Sequence, residues 1–281
     1  MSASGMLMSK QKHRLSAPLW IIASSALLWA SAGFAASDAT MEAEAAREFA
    51  KLKASAPLTT NREIIDYIAC VANAVVSVLE PPHSDYNWEM AILETDQLNA
   101  FVMPGGKVVV YEGILKAAQN QHQLAAVIGH EIAHVTAEHT KAKLLQGRSG
   151  QIGIAVAAVI LGGGNYGATY TAQEALSQGA MYGLLLPYKR GQETEADVIG
   201  LEYMAKAGFD PRESVPLWKN MVPDGANAPT EFASTHPSSS TRIDSLVGEW
   251  IKVLPLYNEA RAQGRIPDCV EPESVRAARE E

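Results

Sequence analysis

The segment Gly129-His130-Glu131-Ile132-Ala133-His134 limits what this chain can fold into more than any other. It asks for a helix. Residues four apart in an α-helix differ by about 40° around the axis and stand one turn apart on the same face. His130 and His134 would then point the same way, spaced to chelate one zinc ion. Glu131 would sit about 100° around from His130, within reach of a water at the metal but not a ligand itself. The flanking sequence agrees, because Asn120-x-x-Gln123 reads as a helix cap and the helix is expected from about Gln121 to Leu145. The plain alternative is a pair of surface histidines on an amphipathic helix.

A catalytic zinc needs a third protein ligand and an open fourth position. In one known spacing a histidine six residues after His134 supplies it, but Thr140 stands there and His139 is one residue short. His139 is read instead as a helix-surface or supporting residue. The better source is Tyr188-Lys189-Arg190-Gly191-Gln192-Glu193-Thr194-Glu195-Ala196-Asp197. Glu193 and Asp197 are again four apart. One carboxylate could bind metal while the other accepts the free ring N–H of a ligating histidine. Spacing alone does not choose Glu193 over Glu195. A structural zinc protein would need a fourth protein ligand and no cleft.

The 281 residues carry a net charge of −8 and no basic run, which argues against a nucleic-acid partner. Residues 1–36 differ from the rest. Lys10, Lys12 and Arg14 precede an uncharged stretch from Ala17 to Ala35 that ends in small residues, the pattern of a secretory signal peptide. An uncleaved anchor of about 19 residues is the alternative. Export would favour a bridge between Cys70 and Cys269 over two free thiols. Further along, residues 37–59 read as a linker or loose helix, and Thr60-x-x-Glu63 as a cap for a helix ending before Pro81-Pro82. Alternation from Trp88 to Ile92, a Pro104-Gly105-Gly106 turn and Val108 to Tyr111 suggest a small antiparallel sheet. An apolar Ile152–Leu161 segment before Gly162-Gly163-Gly164 reads as a loop or flap. Helices are expected over 172–186, Gln192–Ala207 with Gly208 as cap, and Ser238–Val253.

The two motif segments resemble peptidase family M48, which includes the HtpX-type and CAAX prenyl endopeptidases. They are most similar to its soluble periplasmic members of the LoiP and BepA kind. Arg190, Glu193, Ala196 and Asp197 match in order the segment that follows this family's His-Glu-x-x-His helix. Asn99-Ala100-Phe101 before Pro104-Gly105-Gly106, and Thr235-His236-Pro237-Ser238 with Arg242-Ile243, resemble two further family segments. The resemblance implies an α+β fold, a mostly helical zincin-type (gluzincin-like) domain over residues 60–253 with a short antiparallel sheet beside the cleft. Residues 254–281 would be a C-terminal tail. It implies one Zn2+ per chain on His130, His134 and Glu193, with Glu131 as general base and His236 stabilising the oxyanion. Asp197, Arg190 and Arg242 would support the ligands, and Asn99, Ala100 and Phe101 would bind an extended substrate. The expected activity is periplasmic endopeptidase cleavage of unfolded or misfolded polypeptides, with outer-membrane assembly factors as partners. A latent or non-catalytic zinc protein acting as a holdase is the rival.

Overall fold

In a computed structural model, the chain is described for residues 20–143, 187–221, 232, 235–236 and 242–280, with side chains from residue 38. Most of the segment read as a signal peptide, the flap read at 152–164 and the helix read at 172–186 lie outside these residues.

Helix α1 (Trp20–Ser55) places Ala45, Phe49 and Leu52 at spacings of four and three, and this stripe is buried. Helix α2 (Arg62–Val76) forms over Ile64, Tyr67, Ile68, Val71 and Val75, and buries all five. Its cap is Asn61 rather than Thr60. The Asn61 side-chain oxygen accepts the backbone N–H groups of Glu63 and Ile64.

The sheet contains β1 (Glu89–Leu93), β2 (Ala100–Met103) and β3 (Lys107–Tyr111) in the order β1-β3-β2. It is mixed. Strands β2 and β3 are antiparallel, with Gly105 and Gly106 at φ 74° and 76° in the connection. Strands β1 and β3 run parallel, in place of the antiparallel pair expected between them. A tight turn joins only antiparallel neighbours. Because the Pro-Gly-Gly turn follows β2 and not β1, the chain has reversed twice by β3. Both faces are covered. Ile92, Val102, Val108 and Val110 join the main helical core, while Ala91, Phe101, Met103 and Val109 pack with α1. This burial on both sides explains why β3 reads as a continuous apolar run rather than an alternation.

Asn120 caps helix α3 (Gln121–Thr136) by accepting from His122 and Gln123 N–H. The helix stops short of the expected Leu145. Glu138 takes φ 58°, a left-handed conformation that ends it, and helical turns resume at 139–143. Helix α4 (Arg190–Lys206) crosses α3 closely. A Cβ added at Gly200 would stand 2.8 Å from the His130 backbone nitrogen, and one at Gly129 2.9 Å from the Gly200 carbonyl oxygen. Gly208, at φ 90°, follows α4. Helices α5 (Ser214–Met221), α6 (Arg242–Ala262) and α7 (Glu273–Glu280) follow. The segment read as a tail is therefore partly helical. It is tied to the body by a Cys70–Cys269 disulfide, by Cys269 N–H donating to Gln121 Oε1 (2.9 Å), and by Arg279 donating to the Leu115 carbonyl (3.1 Å).

Candidate metal centre

The α3–α4 crossing brings four potential ligands together. His130 and His134 come from α3, Glu193 from the first turn of α4, and His236 from the segment before α6. One donor atom from each lies within 4.8 Å of every other, and all four residues are buried. His130 Nε2 is 3.1 Å from His134 Nε2 and 3.2 Å from His236 Nδ1. Glu193 Oε1 is 3.4 Å from His134 Nε2 and 3.2 Å from His236 Nδ1.

Neighbouring side chains orient this set. Asp197 Oδ1 lies 3.0 Å from His130 Nδ1. Arg242 is buried and forks between Glu193 Oε2 (3.1 Å) and Asp197 Oδ1 (2.6 Å), with its guanidinium 3.3 Å above the Trp218 ring. Tyr188 stacks on His134 at 3.6 Å between ring centroids and 8° between planes. Phe232 stacks on His236 at 4.3 Å. The Tyr188 N–H donates to the Thr235 carbonyl, the Phe232 N–H to Leu98, and the His236 N–H to Phe232, so the His236 segment is held to both α4 and the entry of β2.

The donors fit a metal. The Asp197 carboxylate accepts the proton on His130 Nδ1, leaving the Nε2 lone pair facing the other ligands. Lone pairs of nitrogen and oxygen converging at these distances repel unless a cation lies among them, and imidazoles with a carboxylate suit zinc. With no cation among them, His134 and His236 can meet Glu193 only by turning a ring proton toward it; burial raises Glu193, but those hydrogen bonds outweigh it and hold the carboxyl below the usual range. Burial lowers His134 well below the usual imidazole range and His236 to about 4, so both rings favour the unprotonated form that a ligand needs. Glu131 is different. Burial, then the Glu193 charge, pushes it well above the carboxylate range, against the pull of Lys143 and Arg242. Its Oε1 is buried and accepts no hydrogen bond, although His236 Nε2 lies 3.4 Å away. An orphaned carboxylate oxygen beside the ligands is where a base would stand.

Of the residues singled out from sequence, His130, Glu131, His134, Glu193, Asp197, His236 and Arg242 meet here. Arg190 does not. It is exposed in the first turn of α4, and Arg242, 45 residues beyond Asp197, lies where a supporting arginine was expected. Asn99, Ala100 and Phe101 lie at or in β2, the outer strand of the sheet beyond β3, and all are buried. Glu195, left open as a ligand, turns instead toward His139 (3.1 Å). Tyr188 and Trp218 were missed. A single aromatic in a loop or on a short helix carries no periodic signal of a site.

The profile of peptidase family M48 matches residues 59–249 of the 281. The chain belongs to peptidase family M48. The M48 match runs from just before α2 into α6 and includes every residue of the cluster. The chain is similar to "Mitochondrial metalloendopeptidase OMA1" of Schizosaccharomyces pombe, at 38% identity over 208 residues, 72% of this chain and 56% of that protein. It is 32% identical over 189 residues to human "Metalloendopeptidase OMA1, mitochondrial", 63% of this chain and 36% of the relative. It is 29% identical over 199 residues to the Escherichia coli "Beta-barrel assembly-enhancing protease", 69% of this chain and 40% of the relative. The chain thus spans about half, or less, of the length of these M48 relatives.

These names correct the periplasmic placement. Relatives at up to 38% identity are named mitochondrial. A cationic start and an apolar run do not specify which membrane system reads them, so the N-terminal pattern could not carry an address. Among the described residues no helix is long and apolar enough to cross a membrane.

Proposed function

We propose that this M48 protein is a zinc metalloendopeptidase acting on polypeptide chains, with His130, His134 and Glu193 holding the zinc. The convergence of these ligands beside the unpartnered Glu131 carboxylate oxygen carries the reading. A zinc ion held there supplies Lewis acidity, acidifying a water and polarising a peptide carbonyl. Glu131 accepts the proton of the attacking water and delivers it to the leaving amine. Arg242 and Asp197 keep Glu193 and His130 in orientation. Strand β2 is an edge of the sheet, with Leu98 at its entry bonded to Phe232 in the His236 segment, and an extended substrate adds to that edge through backbone hydrogen bonds. Such reading of backbone favours unfolded chains. The name of the E. coli relative ties that protein to β-barrel assembly, and β-barrel chains not yet assembled are one substrate class that the proposal takes in.

One observation favours a second reading. His236 Nδ1 lies 3.2 Å from both His130 Nε2 and Glu193 Oε1, as near as those donors lie to His134, so the set can close at four protein ligands. A closed set describes a latent enzyme, or a zinc-holding chaperone, until His236 moves away. The two differ in the effect of His236→Ala. Loss of activity fits a histidine that stabilises the oxyanion, and a gain fits a histidine that blocks.

The test is casein cleavage by the metal-quantified protein beside Glu131→Gln. One zinc per chain in both, with cleavage by wild type and a fall of roughly 100-fold or more in the variant, is the expected result. Full activity in zinc-loaded Glu131→Gln would end the mechanism, and absence of zinc from both would end the site.

A further inference from the structure

We infer that His139 and Glu195 position His134, fixing which ring nitrogen faces the ligand cluster; the inference rests on the zinc reading above. His139 is five residues after His134, off the shared helical face, and a continued helix would carry it away. The left-handed Glu138 breaks α3 and turns the chain back. That conformation is unfavourable for a non-glycine residue. In return His139 is buried at 5% exposure, with its Nδ1 3.1 Å from His134 Nδ1. Its other nitrogen, Nε2, is 3.1 Å from Glu195 Oε2, on a side chain that is 60% exposed.

Donor and acceptor accounting orders this chain of contacts. An ionised carboxylate only accepts, so His139 Nε2 carries a proton and donates it to Glu195. An imidazole with that one proton presents a lone pair at Nδ1. His134 Nδ1 must then be the donor, which leaves the His134 Nε2 lone pair facing Glu193 and His130. Asp197 does the same for His130 in one step. For His134 the carboxylate acts through an intervening ring, because Glu195 stands two residues nearer the N-terminus of α4 than Asp197. Tyr188 holds the plane of the ring that His139 holds in rotation.

Partners of this kind change metal affinity by roughly 10- to 100-fold. Zinc affinity would be measured by chelator competition on the full chain carrying His139→Phe, His139→Asn, Glu195→Ala or Glu195→Gln, with the thermal midpoint of each metal-free protein. His139→Phe removes the acceptor and is expected to weaken zinc binding roughly 10- to 100-fold. His139→Asn places an oxygen near the Nδ1 position and is expected to recover most of the loss. Glu195→Gln still accepts from His139 and should bind like wild type, with Glu195→Ala weaker. In the zinc-loaded wild type, nitrogen-15 NMR should show His134 protonated at Nδ1, and that proton should exchange faster in His139→Phe. Wild-type affinity in His139→Phe, or equal losses in the phenylalanine and asparagine variants tracking only their thermal midpoints, would overturn the inference. Failure of wild type to bind zinc would remove the parent reading and this one with it.

Discussion

At the scale of single residues, Arg242 is the group on which the metal-free site most depends. Among the described residues it is the one cation that bonds both Glu193 and Asp197, and all three are buried. Removing one partner of a buried ion pair costs about 3–5 kcal/mol, because the charge left behind stays out of water. Arg242→Met, which keeps the packing on Trp218, should therefore lower metal-free stability by about that amount, read by urea unfolding with chelator present. Arg242→Lys should recover only part, since an ammonium cannot fork between two carboxylates. How far the site could be read from sequence follows from the range of each contact. His130, Glu131 and His134 are fixed by one turn of helix, so spacing finds them. The choice of Glu193 over Glu195 depends on which face of α4 meets α3, and spacing alone left it open until the family resemblance favoured Glu193. The family resemblance named both Arg190 and Arg242 as supports; Arg242, from a different helix, reaches Glu193 and Asp197, whereas Arg190, near them in sequence, is exposed. The tie from His139 to His134 needed a left-handed residue that no local pattern announces.

At the scale of elements, the crossing of α3 on α4 sets the separation of the candidate ligands, and two glycines set the crossing. An alanine at 200 would press on the backbone of His130 itself, and backbone cannot step aside as a side chain does. Gly200→Ala is expected to cost about 1–3 kcal/mol. Gly248→Ala, on α6 with nothing within 4 Å of the new carbon, should instead gain about 0.5–1 kcal/mol from helix propensity. Urea unfolding of the two variants side by side measures the difference. The start of α3 yields a pH prediction. His122 Nδ1 accepts the Asp210 N–H at 3.1 Å, and burial, against the pull of Asp210 and Glu213, lowers its pKa below 6.5. A depressed folded pKa means the contribution is whole above the unfolded pKa and is lost as pH falls through the folded one. Wild-type stability should drop from about pH 6.5 downward more steeply than that of His122→Asn, whose amide oxygen accepts the same N–H without titrating. Stabilities of the two proteins that fall in parallel as pH drops below about 6.5 would refute this. The helices were legible because each buries one periodic face. The sheet's direction was not, since β2 is four buried residues whose pairing depends on the turn that follows.

At the scale of the whole molecule, the chain closes on itself through Cys70 and Cys269. The even cysteine count made this pairing legible, although the periplasmic address used to support it did not stand. The bridge joins α2 to the segment before α7, which together with the α6 end forms what looked like a tail, and neither α2 nor that segment supplies a ligand. Its two ends are 199 residues apart in sequence, so the sheet and helices α3 to α6 lie inside the loop. Restricting so long a loop in the unfolded chain gives about 5 kcal/mol in the chain-entropy account, and measured losses on removing native bridges run about 2–5 kcal/mol. Replacing both cysteines with serine should therefore shift the urea midpoint down by an amount in that range, and reduction of the wild type should reproduce it. Zinc stoichiometry and casein cleavage by the folded fraction should not change, because the α3–α4 crossing that sets the ligands is held by its own packing. A double-serine variant that keeps its midpoint would mean that Gln121, Arg279 and the apolar contacts already hold the C-terminal segment in place. One that keeps its midpoint but loses zinc would instead make the bridge part of the machinery that brings α3 and α4 together.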